Sequence, residues 1–217
     1  MTHSMLKCSL LGILVPCAAP AQTLLLDGHA GISRANISSY SGGVNYAANA
    51  QDAGGVSAGL GLQLKLNRLL ALRLEADYAQ KGTQGLRSGY FELPMLARLA
   101  APWSPGGVTV AGVAGVAPSW LLHCTYQEPG GGIQPQAGAP GTTTAPTTAD
   151  PCRSIFTDLN DFGWVGGLAL SRSAGRGILE AELRYTRGTS DIASAYQCCV
   201  VQNRAIQVLI GYALRLH

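Results

Sequence analysis

Leu70-Ala71-Leu72-Arg73-Leu74-Glu75-Ala76-Asp77-Tyr78 has two faces: Leu70, Leu72, Leu74, Ala76 and Tyr78 fall on one, Arg73, Glu75 and Asp77 on the other. Side chains of a β-strand alternate with period 2, so the stretch reads as a strand with one apolar and one charged face. The pattern returns in Leu179, Ala181, Leu183 and Tyr185 set against Glu180, Glu182 and Arg184. It returns again where Val56, Ala58, Leu60, Leu62, Leu64 and Leu66 alternate with Ser57, Gly59, Gly61, Gln63 and Lys65. A last segment puts Ile206, Val208, Ile210, Tyr212, Leu214 and Leu216 on one side.

Working outward, eight such segments are expected over residues 24–34, 55–66, 70–80, 89–100, 107–119, 161–172, 177–187 and 204–216. The first, fifth and sixth alternate less regularly. Their connections alternate in length. Those at Asn67–Leu69, Ala101–Gly106 and Ser173–Arg176 are tight, and those at Ala35–Gly54, Lys81–Ser88, Trp120–Asp161 and Gly188–Asn203 are mostly longer. Short turns at one end and long loops at the other are the asymmetry of an outer-membrane barrel, with both termini on the periplasmic side. The fold expected is therefore all-β: an eight-stranded antiparallel up-and-down transmembrane β-barrel with short periplasmic turns and longer extracellular loops.

The same alternation, turned inside out, would suit a soluble lipocalin-like barrel. What separates the two is the polar face, which carries acids and arginines of opposite sign two residues apart and few lysines, a poor solvating surface. Placed inside a narrow barrel, Arg73, Glu75, Asp77, Glu92, Arg98, Glu180, Glu182 and Arg184 can pair across a lumen where unpaired charge is costly. Eight strands enclose only enough space for their own side chains. A plugged interior is expected, in which these charges hold the barrel together. Tyr78, Phe91, Trp103, Trp120, Phe162, Trp164 and Tyr185 fall near strand ends, where interfacial girdles sit. Aromatics are only 6% of the chain, which makes the girdle sparse, and the chain ends in His217 in place of the common terminal aromatic.

The 217 residues suit one domain, and no stretch beyond the N-terminus approaches the roughly 20 apolar residues of a spanning helix. The 28 glycines favour strands and turns over helices. Fifteen basic against twelve acidic residues give no case for nucleic acid. Residues 1–21 read as a cleaved signal peptide, with Lys7 before the apolar Leu10–Val15 and a small-x-small site at Ala19-Pro20-Ala21, leaving 22–217 as the barrel. A lipoprotein alternative would use Cys17, but Pro16 occupies a position where a small residue is expected. Of six cysteines, Cys8 and Cys17 leave with the leader, and Cys124, Cys152, Cys198 and Cys199 are disulfide candidates in an exported chain. Four cysteines allow three connectivities, and sequence does not choose among them. Cys124 and Cys152 bracket a Gly/Pro/Thr-rich stretch, about 127–151, whose composition predicts mobility. A bridge between those two would stabilise the domain by roughly 2–4 kcal/mol.

Leu72-Arg73-Leu74-Glu75-Ala76-Asp77-Tyr78-Ala79-Gln80-Lys81-Gly82, followed by Tyr90-Phe91-Glu92-Leu93-Pro94-Met95-Leu96-Ala97-Arg98, resembles the PorT-like outer-membrane β-barrel family. A strand ending in an aromatic, a Gln-Lys-Gly step and a following Tyr-x-Glu-Leu/Ile-Pro strand are that family's most recognisable features. The resemblance implies an outer-membrane barrel of Gram-negative bacteria; the secretion role of the family's named member does not carry over, because fold does not fix function. Pro94 removes a ladder donor, and a bulge is expected there.

No residue set compels a reaction, and no catalytic, cofactor or metal residues are assigned. Cys198-Cys199 read as disulfide partners before they read as a redox or metal site. His29, sharing a polar parity with Asp27, and His123, beside Cys124, come without zinc-site spacing. Ser119, His123 and Asp161 lie near the expected outer rim, where some small barrels carry a lipid hydrolase triad, but nothing in the sequence ties them together. Gly54-Gly55 and Gly163–Gly167 lack the Lys-Ser/Thr step of a phosphate loop. The leading expectation is a non-enzymatic, monomeric barrel in contact with outer-membrane lipid, its loops serving envelope structure or an extracellular or envelope protein partner. A rim-site lipid hydrolase and a small passive pore are the alternatives.

Overall fold

The computed structural model describes residues 23–41, 44–45, 52–83, 86–126, 159–192 and 200–216. The expected leader, residues 1–21, and the stretch 127–151 lie outside them. Among the described residues there are ten strands: β1 Thr23–Ser41, β2 Val44–Asn45, β3 Ala53–Lys65, β4 Leu70–Thr83, β5 Leu86–Glu92, β6 Met95–Ala100, β7 Val108–Tyr126, β8 Asn160–Ala174, β9 Gly177–Gly188 and β10 Val200–Leu216. All pairings are antiparallel, and β10 closes on β1 through a ladder from Leu24 opposite Leu216 to Tyr40 opposite Val200. β5 and β6 together form one stave, lying between β4 and β7, and β2 is a short hairpin return on β1. The result is a closed ring of eight staves, with the ladder of β1 and β10 joining the two ends of the sheet.

Period 2 decides which residues face in. Leu24, Leu26, Ile32, Leu60, Leu72, Leu74, Leu168, Leu183, Val208 and Ile210 are exposed on the outside, whereas Asp27, Arg73, Glu75, Asp77, Glu182 and Arg184 are buried within. The polarity of a soluble protein is inverted. Inward alanines such as Ala71, Ala79, Ala111 and Ala169 make room for the long charged side chains beside them. An apolar patch of Leu96, Val113, Ala117, Val165 and Ala169 fills the rest of one wall.

The start of β1, the end of β10 and three short turns share one end, here called the turn end. Asn67 ties the first of them, its carboxamide oxygen accepting from the backbone of Leu69 and Leu70 at 2.8 Å each. The second is a single 3-10 turn, Pro105–Gly107, and the third hinges on Gly175, whose φ of 57° lies in the left-handed region that glycine enters without strain.

Three sequence expectations are corrected, the first two at the opposite, loop end. The ladder of β4 and β5 runs to Thr83 opposite Leu86, so every described residue of the loop expected at Lys81–Ser88 is paired in a strand. β1 and β7 each reach 19 residues and β10 reaches 17, well past the bounds expected from alternation. Backbone pairing continues there because hydrogen bonds between strands do not require an apolar face. Finally, no bulge lies at Pro94. Glu92 faces Asp77 and Met95 faces Leu74, so the register is the same on either side of the break at Leu93-Pro94. Leu93 and Pro94 keep their place by single bonds, Leu93 N–H to the Pro118 carbonyl at 2.9 Å and Glu75 N–H to the Pro94 carbonyl at 3.0 Å. The bulge sits higher: Tyr90 faces Leu121 but Gly89 faces His123, which leaves Leu122 as the extra residue of β7. Gly89 is required at that point, because a Cβ there would lie 2.4 Å from the His123 ring.

Candidate functional site

The inward rows of β4, β6 and β9 converge on the lumen's middle. Arg73 sends Nε to Glu75 at 2.8 Å, Nη1 to Glu180 at 3.2 Å and Nη2 to Glu182 at 2.5 Å. Arg184 grips both oxygens of Glu75 at 2.8 and 3.1 Å, and reaches Glu182 at 2.8 Å and Asp77 at 3.4 Å. Arg98 pairs with Glu180 and stands 3.5 Å from the Gln63 carboxamide oxygen. Seven of the eight charges singled out in the sequence thus form one continuous network. Guanidinium is suited to this because its planar fork spans two acceptors at once.

Glu92 stands apart from that network. It pairs with Lys81 Nζ at 2.5 Å, and the ammonium also lies 5.1 Å from the centre of the Tyr90 ring. Asn203 bridges nearby, donating to Asp161 at 2.9 Å and to the Tyr90 hydroxyl at 3.2 Å. Lys81, Asn203 and Asp161 were not placed in the lumen from sequence. Lys81 had a usable signal, since it continues the inward parity of Arg73, Glu75 and Asp77 one step beyond the segment's expected end.

His29 is the other residue that sequence left aside. Its side chain is 6% exposed, with Nδ1 3.2 Å from Asp27 and Nε2 3.2 Å from Asp77. Asp27, His29 and Glu75 each bring a ligand atom to within 4.8 Å of the others, the one such group among the described residues. Glu75 is committed to Arg73 and Arg184, so the set offers a metal ion few free lone pairs.

The hydrolase arrangement does not assemble. Ser119 is buried in the lumen and donates to the Asp161 backbone carbonyl at 3.2 Å, while His123 is exposed outside and stacks on Tyr78 with ring centres 6.0 Å apart. The bulge at Leu122 puts them on opposite sides of the wall. Cys124, two residues past the bulge, is buried beside Ile192 and is disulfide-bonded; Cys152, Cys198 and Cys199 lie outside the described residues. On the outer surface Phe91 and Trp120 pack at 5.9 Å, with Phe162, Trp164 and Tyr185 exposed on neighbouring staves and Trp103 exposed at the turn end.

No family model matches the chain, and no curated protein does. The PorT-like resemblance therefore rests on the residues quoted for it. Among solved structures, the chain is similar to Neisserial surface protein A, at 13% identity over 89% of this chain and 97% of that one, with a TM-score of 0.48. It is similar to the outer membrane protein OprG from Pseudomonas aeruginosa at 11% identity, 89% and 96% coverage and a TM-score of 0.46. Ail, the attachment invasion locus protein of Yersinia pestis in complex with the heparin analogue sucrose octasulfate, gives 9% identity, 88% and 99% coverage and a TM-score of 0.37. At these values the functional reading rests on the chain's own geometry.

Proposed function

We propose that the chain is an integral, monomeric outer-membrane barrel, exported on a cleaved leader, with a charge-filled lumen that neither catalyses nor conducts. Its loop end serves contact with an extracellular or envelope protein. The inverted polarity carries this reading. Leu60, Ile210 and Leu168 are 64%, 63% and 60% exposed while Glu75 and Arg184 are 1% and 2% exposed, an arrangement that water penalises on both surfaces and a bilayer on neither. The band of exposed Leu, Ile and Val is bordered by Phe91, Trp120, Phe162, Trp164 and Tyr185 towards the loop end.

A tilted strand crosses a membrane with about 9–11 residues. β1 and β7, at 19, have enough left over to raise a wall above it. That wall, braced by a disulfide from Cys124 to one of Cys152, Cys198 or Cys199, is the surface offered to a partner.

The test is migration on a gel before and after heating, in detergent, with non-reducing peptide mapping of the same sample. A compact unheated band and a cross-linked Cys124 peptide are expected. A monodisperse barrel that stays soluble without detergent overturns the membrane reading, and unitary conductance in planar bilayers overturns the filled lumen.

A further inference from the structure

At the turn end the lumen widens into a cavity of about 420 Å³. Three of its side chains project inward from the staves, Lys65 of β3, Arg98 of β6 and Arg215 of β10; Arg68 of the first turn and Arg172 at the rim of β8 complete the lining cations. Among the described residues the single lining carboxylate is Glu180, already shared by Arg73 and Arg98. Among the described residues neither Lys65 nor Arg215 lies within ion-pair distance of an acid. Both Arg98 and Arg215 repel the half-buried Lys65, and Glu180 attracts it.

This departs from how the rest of the lumen is built, where each inward arginine of the middle has a carboxylate. Like charges gathered around a concave cup focus a positive potential on its contents, here with Lys65 half-buried and Arg215, Arg68 and Arg172 exposed. The donors present are those that recognise phosphate: guanidinium forks, an ammonium, and the Ser171 and Thr109 hydroxyls on the wall. The volume lies at the small end of ligand pockets, enough for a group of two phosphates or one phosphodiester headgroup.

We propose that the turn-end cavity binds a phosphate-bearing anion, with Lys65 and Arg215 as its principal contacts. The site belongs to the barrel whichever membrane holds it; only the lipid arm of the test rests on the outer-membrane reading.

The experiment is calorimetric titration of the full refolded chain, in neutral detergent, with inorganic pyrophosphate. One saturable site is expected, weakened roughly tenfold or more in Lys65→Gln/Arg215→Gln, the loss of two charge-assisted hydrogen bonds. The control, Arg87→Gln/Arg187→Gln, removes the same charge from exposed positions at the loop end and is expected to bind as the parent does. Heat-shifted gel migration verifies that both variants fold. Absence of a saturable site, or equal weakening in the control, overturns the proposal. In nanodiscs, competition by phosphatidylglycerol but not phosphatidylcholine supports the site and assigns it to a lipid headgroup. Binding indifferent to lipid composition supports the site and assigns it to a soluble phosphate compound.

Discussion

In the middle of the lumen Arg73 and Arg184 each contact three carboxylates, whereas towards the loop end Lys81 contacts one. Both regions bury acids beside bases within the same ring of strands. The middle does so with planar forks that share acceptors, so that Glu75 and Glu182 each answer to both arginines. Near the loop end a point charge serves Glu92, and Asp161 takes its hydrogen bond from the neutral Asn203. The middle is a network and the loop end is a pair with an amide beside it, and the two should fail differently.

Removing a fork is the severest way to break the comparison. Arg184→Met leaves Glu75, Asp77 and Glu182 without their common partner, and a loss of about 3–5 kcal/mol is expected from urea unfolding in lipid vesicles. A loss below about 1 kcal/mol would mean that water reaches these acids, and the network reading would fall.

Lys81→Met strands one acid and should cost about 3 kcal/mol in the same assay. Adding Glu92→Leu should restore most of it, because an isolated buried pair can be exchanged for apolar residues. The matching double change in the middle, Arg184→Met with Glu75→Leu, should restore little, since Asp77 and Glu182 still lack the fork. Equal recovery in the two double variants would erase the distinction.

The smallest effect concerns spacing. A Cβ on Gly59 would sit 1.9 Å from Asp77 Oδ1, so Gly59→Ala should displace that carboxylate from His29 at a cost of about 1–3 kcal/mol. Gly54, with nothing within 4 Å, should accept alanine within about 0.5 kcal/mol. Thermal unfolding of the two variants side by side makes the check.

Much of this was legible in the sequence, for a physical reason. The clearest staves have one charged face and one oily face, so Leu72, Arg73, Leu74 and Glu75 announce both the strand and which way it is turned. The extensions of β1, β7 and β10 were not legible, because above the apolar band the backbone ladder continues without any demand on side-chain type. Lys81 was lost for the same reason: it lies where the outer face stops alternating while the inner one goes on. Pro94 drew the expectation of a bulge because it lacks a donor, yet the ladder tolerates one missing bond without slipping. The actual slip, at Leu122, leaves no mark in composition. His29 and Asp27 share parity in the sequence, but their meeting with Asp77 depends on β3 placing two glycines, Gly59 and Gly61, between β1 and β4.

The extra residue at Leu122 acts on β7 as a phase inverter. Below it odd-numbered side chains such as Val113, Ala117 and Ser119 turn inward; above it the even-numbered Cys124 does. Counted by twos from Ser119, Cys124 would face the surroundings of the barrel, and its disulfide would have to form outside the wall. Insertions or deletions of one residue in this part of the chain therefore exchange the inner and outer surfaces of everything beyond them, while changes of two residues preserve both. The cross-link at the loop end is thus set by a count along the strand as much as by the cysteine itself.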